Sequence, residues 1–184
     1  MEINSYLEIY KKLVSPDLSK KVNDITDLFL KKSSAEKNVY VSGNGASAAI
    51  SSHIANDLTK ACKIKARTFH DPALITCFGN DYGYENWIAE SVNHFANEGD
   101  LIVLISSSGQ SKNILNASAA AKKKNMDIIS LTGPNPSNLL EANSDIHIRI
   151  DSNIYNIIEC MHMIVLTAAI DQINIVTLNS EPPK

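Results

Sequence analysis

Two short loops and two pairs of ionisable residues carry the chemistry in this sequence. In Val39-Tyr40-Val41-Ser42-Gly43-Asn44-Gly45-Ala46-Ser47, a run of β-formers ends in glycines and passes into a helix beginning near Ala46. Glycines let a backbone approach a ligand closely, and the unpaired amides and dipole of a helix N-terminus favour negative charge. The second loop, Ser106-Ser107-Ser108-Gly109-Gln110-Ser111, follows the apolar run Leu101 to Ile105 and precedes a helix from about Lys112. It offers four hydroxyls and several amides to one small volume, which suits a phosphate group. His53 and Asp57 are four apart on a predicted helix, so they share a face, and that face is expected to point at the same crevice. Glu159 and His162 stand in apolar sequence, where an ionisable group needs a partner.

The elements that must position these residues follow from periodicity. Ile3, Leu7, Tyr10 and Val14, then Leu18, Val22, Ile25 and Phe29 after Pro16, recur at helical spacing and predict two amphipathic helices. Pro16 between Ser15 and Asp17 marks the break and restart. Beyond Lys37, five β-rich runs alternate with longer stretches: Val39 to Ser42, Ala66 to Phe69, Leu101 to Ser106, Ile128 to Leu131 and Ile146 to Ile150. Those at Leu101 and Ile128 are almost continuously apolar, as parallel strands covered on both faces must be. The expected fold is an α/β, three-layer α-β-α sandwich with a five-stranded parallel, doubly wound, flavodoxin-like sheet. In such a sheet the two loops meet at the switch point and face one ligand. The last segment, Tyr155 to about Thr177, is apolar around most of its circumference and needs cover on nearly every side. A small domain supplies little such cover, so self-association through this helix and the N-terminal pair is expected.

The chain of 184 residues, 44% hydrophobic, is read as one domain. Residues 1–33 form helices used in oligomer packing, and residues 38–178 form the sheet core and C-terminal helix. A formal net charge of −3 gives no basic footprint for nucleic acid. The three cysteines, Cys62, Cys77 and Cys160, lack metal-type spacing, and no leader-like segment opens the sequence. The polar residues Asn156, Glu159 and His162 interrupt the most apolar stretch, so no membrane span is predicted. A cytoplasmic location is expected. The tail Glu181-Pro182-Pro183-Lys184 is expected to fray.

Taken together, Ser42 to Ser47, His53-Ile54-Ala55-Asn56-Asp57-Leu58-Thr59, Gly79-Asn80-Asp81-Tyr82-Gly83, Ile105 to Ser111 and Leu131-Thr132-Gly133 resemble a sugar isomerase (SIS) domain of the phosphoheptose isomerase group. The resemblance covers nearly the whole chain. It implies a homotetrameric aldose-ketose isomerase of carbohydrate metabolism that acts on sedoheptulose 7-phosphate and serves lipopolysaccharide or capsule biosynthesis. By resemblance, Ser106, Ser107, Ser108 and Ser111 grip the phosphate, while Asn44, Gly45 and Ser47 contact sugar or phosphate. Asp81 lies near the sugar end, and His53, Asp57 and Glu159 form the catalytic group.

Three positions depart from the family pattern: Asp57 replaces a glutamate, Glu159 a glutamine, and Thr167 a histidine that transfers protons. Isomerisation through an enediol needs a base at carbon and an acid or base at the oxygens. Thr167 cannot exchange protons near neutrality, so Asp57 and Glu159 are expected to share the work, with His53 between them. The sequence requires no cofactor. Some members of the group bind zinc, and His53, Asp57 and Glu159 are the ligands the resemblance implies here. The alternatives are an isomerase of a different phosphosugar, or a non-catalytic module that binds a phosphosugar or a protein partner. Gly43, Gly45 and Ala48 also satisfy a dinucleotide pattern, but the only acidic residue placed to meet the ribose is Asp71, immediately before Pro72.

Overall fold

The computed structural model describes residues 2–136 and 138–178. Two helices open the chain, α1 (Ile3–Leu13) and α2 (Pro16–Ser34), the second capped by the Ser15 hydroxyl, which accepts from the Leu18 amide at 3.1 Å. Five strands follow with helices between them. They are β1 (Val39–Gly43), β2 (Ala66–Arg67), β3 (Leu101–Ser106), β4 (Asp127–Thr132) and β5 (Ile146–Arg149). The crossovers are α3 (Ala46–Lys60), α4 (Pro72–Tyr82) with α5 (Trp87–Phe95), α6 (Lys112–Lys123) and α7 (Leu139–Asn143), and α8 (Tyr155–Leu178) closes the fold.

All strands are parallel, in the order β2-β1-β3-β4-β5, which is the doubly wound order expected from the sequence. Strand alternation divides the core in two. Val39, Val41, Val103, Ile105, Ile129 and Leu131 face α2, α3 and α8, while Tyr40, Ile102, Leu104 and Ile128 face α5 and α6. Because each strand is buried on both faces, its sequence reads as continuously apolar. β2 is shorter than expected. Only Ala66 and Arg67 pair with β1, and Phe69 turns inward to stack on Tyr40 at 4.9 Å between centroids. The expected fraying of Glu181 to Lys184 lies outside the described residues.

By length and composition, α8 is apolar enough to cross a membrane. Scoring uninterrupted runs hides this, because Asn156, Glu159 and His162 break the run but barely lower the average. The fold accounts for its apolarity in another way. Ile157, Met161, Val165, Leu166, Ala169 and Ile173 are buried beneath the sheet, α2 and α3. Each large apolar side chain so buried stabilises the fold by about 1.5–3 kcal/mol. The helix stays partly uncovered, since Ile164 is 46% and Val176 64% exposed. No residue of α1 is buried.

The chain runs outward from β1 to β2, then returns to the other side of β1 as β3. The switch point therefore lies between β1 and β3, and Gly43 pairs in register with Ile105. Both chemistry-bearing loops leave the sheet at the same height and side by side.

Candidate active site

A cavity of about 150 Å³ opens where these loops meet. Asn44 and Ser47 line one side; Ser106, Ser107, Ser108 and Ser111 line the other. Tyr155 and Glu159, from the first turns of α8, close it. The cavity is smaller than the roughly 300–1,000 Å³ typical of whole-ligand pockets, so it suits a headgroup with the remainder of a ligand projecting outward.

Local structure explains the shape of each loop. Gly45 sits at the start of α3 with φ 55°, a left-handed conformation that lets the chain turn directly from strand into helix. It shapes the loop without lining the cavity. In the serine loop, the Gly109 amide donates to the Ser106 carbonyl at 2.9 Å and curls the chain back on itself. Ser111 occupies the N-cap position of α6, yet its side chain caps nothing and instead accepts from the Ser106 hydroxyl at 3.3 Å. That commits the Ser106 proton and leaves the Ser111 proton to the cavity. The Ile114 and Leu115 amides bond the Ser111 carbonyl, so those of Lys112 and Asn113 have no acceptor within the helix. The Ser107 Oγ is buried and makes no hydrogen bond among the described residues. Leaving such a hydroxyl unmet costs about 1–3 kcal/mol, which an oxygen-rich guest would relieve. The arrangement gathers hydroxyls and helix-start amides round one small volume.

Seven of the expected site residues therefore share one cavity: Asn44, Ser47, Ser106, Ser107, Ser108, Ser111 and Glu159. Glu159 is half-buried at the edge and makes no hydrogen bond or ion pair among the described residues. It keeps contact with solvent, so it needs no internal partner of the kind its apolar sequence context led one to expect.

His53, Asp57 and Asp81 stand apart. His53 and Asp57 meet as their spacing predicts, Nε2 to Oδ2 at 3.2 Å, but on an exposed face of α3. The crevice expectation fails within one chain for a geometric reason: at 1.5 Å per residue, Asp57 lies about 15 Å along the helix axis from Ser47. Asp81 ends α4 on the surface, where it accepts from the Asn80 side chain at 2.8 Å. Glu159 and Asp57 form no carboxylate couple in the cavity. No three His, Cys, Asp or Glu side chains gather round a common point among the described residues, so His53, Asp57 and Glu159 do not fit a zinc ion within one chain.

Thr167 donates its only hydroxyl proton to the Met163 carbonyl at 2.8 Å and to Ile164 at 3.2 Å. It belongs to its own helix. His162 is fully buried, with Nε2 at 3.2 Å from the Thr132 carbonyl at the end of β4, which ties α8 to the sheet.

Burial pushes His162 from 6.5 down to about 4. Between those values the unfolded chain holds more protons than the folded one. The stability contributed by the neutral imidazole is thus present above about pH 6.5 and lost as pH falls toward 4. Burial lowers His147 and His70 in the same direction. The urea midpoint is expected to drop between pH 7 and pH 4, and His162→Gln to flatten the drop. Equal slopes in the two proteins would contradict this.

Sequence reading missed three residues here: Tyr155, Asn113 and Tyr84. Asn113 follows the serine loop inside α6 and bonds Asn44, while the Tyr84 hydroxyl donates to Asn44 Oδ1 at 3.1 Å. The only available signal for Asn113 was an amide in the first turn of a helix, which is also common at surfaces.

Known proteins place this arrangement. Residues 4–133 match the SIS domain family. The phosphoheptose isomerase of Glaesserella parasuis serovar 5 is 37% identical over 113 residues, covering 59% of this chain and 58% of that relative's length. The phosphoheptose isomerase of Sodalis glossinidius is 32% identical over 155 residues, covering 81% of this chain and 79% of the relative. The solved structure of a phosphoheptose isomerase from Francisella tularensis aligns with a TM-score of 0.85 at 29% identity, over 94% of this chain and 96% of that one. The chain belongs to the SIS domain family, within its phosphoheptose isomerase group.

Proposed function

We propose that this protein is a phosphosugar aldose-ketose isomerase that interconverts sedoheptulose 7-phosphate and a heptose 7-phosphate. One observation carries the reading: a cage of serine hydroxyls and helix-start amides shares a cavity with a solvent-touching carboxylate, Glu159. The cage holds the phosphate through Ser106, Ser107, Ser108 and Ser111, with the glycine loop and Asn44 against it. The sugar then runs outward past Glu159.

In the ketose-to-aldose direction, Glu159 takes a proton from C1, the C1–C2 bond becomes an enediol, and the proton returns to C2. O2 gains a proton and O1 loses one, so atoms and electrons balance without an oxidant. The oxygen protons need a second acid–base group. His53 and Asp57 are suited to that task, and a neighbouring subunit is what brings them, together with Asp81, to the crevice. Exposed Ile3, Leu7 and Val14, the uncovered Ile164, and an apolar groove of about 220 Å³ between α2 and α8 support self-association, which the family resemblance extends to a homotetramer. We place the protein in the cytoplasm, supplying heptose to lipopolysaccharide or capsule synthesis.

Incubation in deuterium oxide with sedoheptulose 7-phosphate and a panel of ketose phosphates tests the proposal. Deuterium bound to carbon is the expected result. Exchange with only another sugar of the panel would point to a related isomerase, a reading favoured by Asp57, Glu159 and Thr167 standing where the family pattern differs. Tight binding without exchange on any sugar would leave a non-catalytic module.

A further inference from the structure

The 150 Å³ cavity has a larger neighbour of about 420 Å³. Ser107, Ser108 and Tyr155 line both, whereas Glu159 lines only the smaller and Asn153 only the larger. Two of the three shared residues belong to the serine loop, and the third is the first residue of α8. The neck between the cavities therefore runs between that loop and the Tyr155 side chain. At 420 Å³ the neighbour falls within the range of whole-ligand pockets, which the phosphate cavity does not reach. A phosphosugar seated on the serine hydroxyls thus has two ways to lay its carbon chain. One leads outward past Glu159. The other leads through the neck into a space whose described lining holds no carboxylate and no imidazole. Tyr155 and Glu159 are four apart on α8, so the ring and the carboxylate stand on the same face, one turn from each other.

We propose that Tyr155 is a specificity-determining residue whose ring closes this neck and keeps the carbon chain of a seated ketose phosphate on the Glu159 side. This rests on the phosphosugar reading above. The ring acts by occupying space, so its bulk matters and its hydroxyl does not. Tyr155 is 61% exposed, so little packing depends on it and its removal leaves the fold intact.

In Tyr155→Ala the neck opens, and the sugar gains an unreactive mode that competes with the reactive one for the same protein. Both kcat and KM for sedoheptulose 7-phosphate are then expected to fall about tenfold, while kcat/KM, which compares only free protein and sugar with the transition state, stays within about threefold. Tyr155→Phe keeps the ring and should recover most of the lost turnover. Slower product release would also lower both constants, so a second variant separates the two causes. Adding Asn153→Trp to Tyr155→Ala fills the larger cavity alone and is expected to raise kcat again by about fivefold or more. Unchanged kcat in Tyr155→Ala, a loss of kcat/KM as large as that of kcat, or no recovery on filling the cavity would each overturn the proposal. Tyr155→Phe as slow as Tyr155→Ala would assign the effect to the hydroxyl and overturn it too. If the unaltered protein turns over no phosphosugar, the functional reading fails and this inference with it; turnover that is indifferent to Tyr155 removes the inference alone.

Discussion

Replacing Gly133 by alanine is expected to weaken phosphosugar binding by two orders of magnitude or more, although Gly133 offers no side chain to any ligand. A Cβ there would stand 2.5 Å from the Ser107 carbonyl oxygen and 3.0 Å from Ile158 Cδ1. Ile158 can rotate away, but a backbone carbonyl cannot move alone. The Gly133 amide also donates to that same oxygen at 2.9 Å, a bond that seats the serine loop on the end of β4. The added methyl must push the loop off its seat by several tenths of an ångström or more. Overpacking of this kind costs about 1–3 kcal/mol of stability, and a displacement near 1 Å at a reacting site costs about a hundredfold in rate. Titration calorimetry gives the affinity, and thermal unfolding followed through buried Trp87 shows whether the fold survives. A folded variant with unaltered affinity would show that the serine loop is not the phosphate seat.

Glu159→Gln is expected to lower turnover about a hundredfold or more while leaving affinity within a few fold. The two side chains have the same shape, so the cavity keeps its walls, and only proton transfer is lost; a positioned acid or base contributes about 10²- to 10⁴-fold. The substitution also installs the residue that the family pattern carries at this position. Retention of full activity would therefore eliminate Glu159 as the acid or base and shift the chemistry to Asp57 and His53. Carbon-bound deuterium from the exchange assay reads the proton-transfer step directly, separate from product release.

Much of this architecture was legible from residue order. The strand runs at Leu101 and Ile128 advertise double burial, and the strand-loop-helix pattern at Gly43 to Ser47 and Ser106 to Ser111 advertises an anion site, because both are local consequences of chain geometry. The His53–Asp57 pairing is local too, set by helical periodicity, and it forms at 3.2 Å as the spacing requires.

Where that pair points is another matter. Periodicity says which residues share a face of α3, but the packing of α3 on α8 and the sheet decides which face looks into the crevice and which into solvent. The same holds for Asn113, whose partner Asn44 lies 69 positions away. It holds also for Ser111, whose hydroxyl serves the cavity and leaves the helix uncapped. By itself, then, the sequence determined the strand runs and the two strand-loop-helix turns, since each depends on neighbours within one or two turns of chain. Only the tertiary structure decided that Glu159 enters the cavity while His53 and Asp57 stay outside it, because that choice depends on how far along each helix a residue sits when separate helices are packed together.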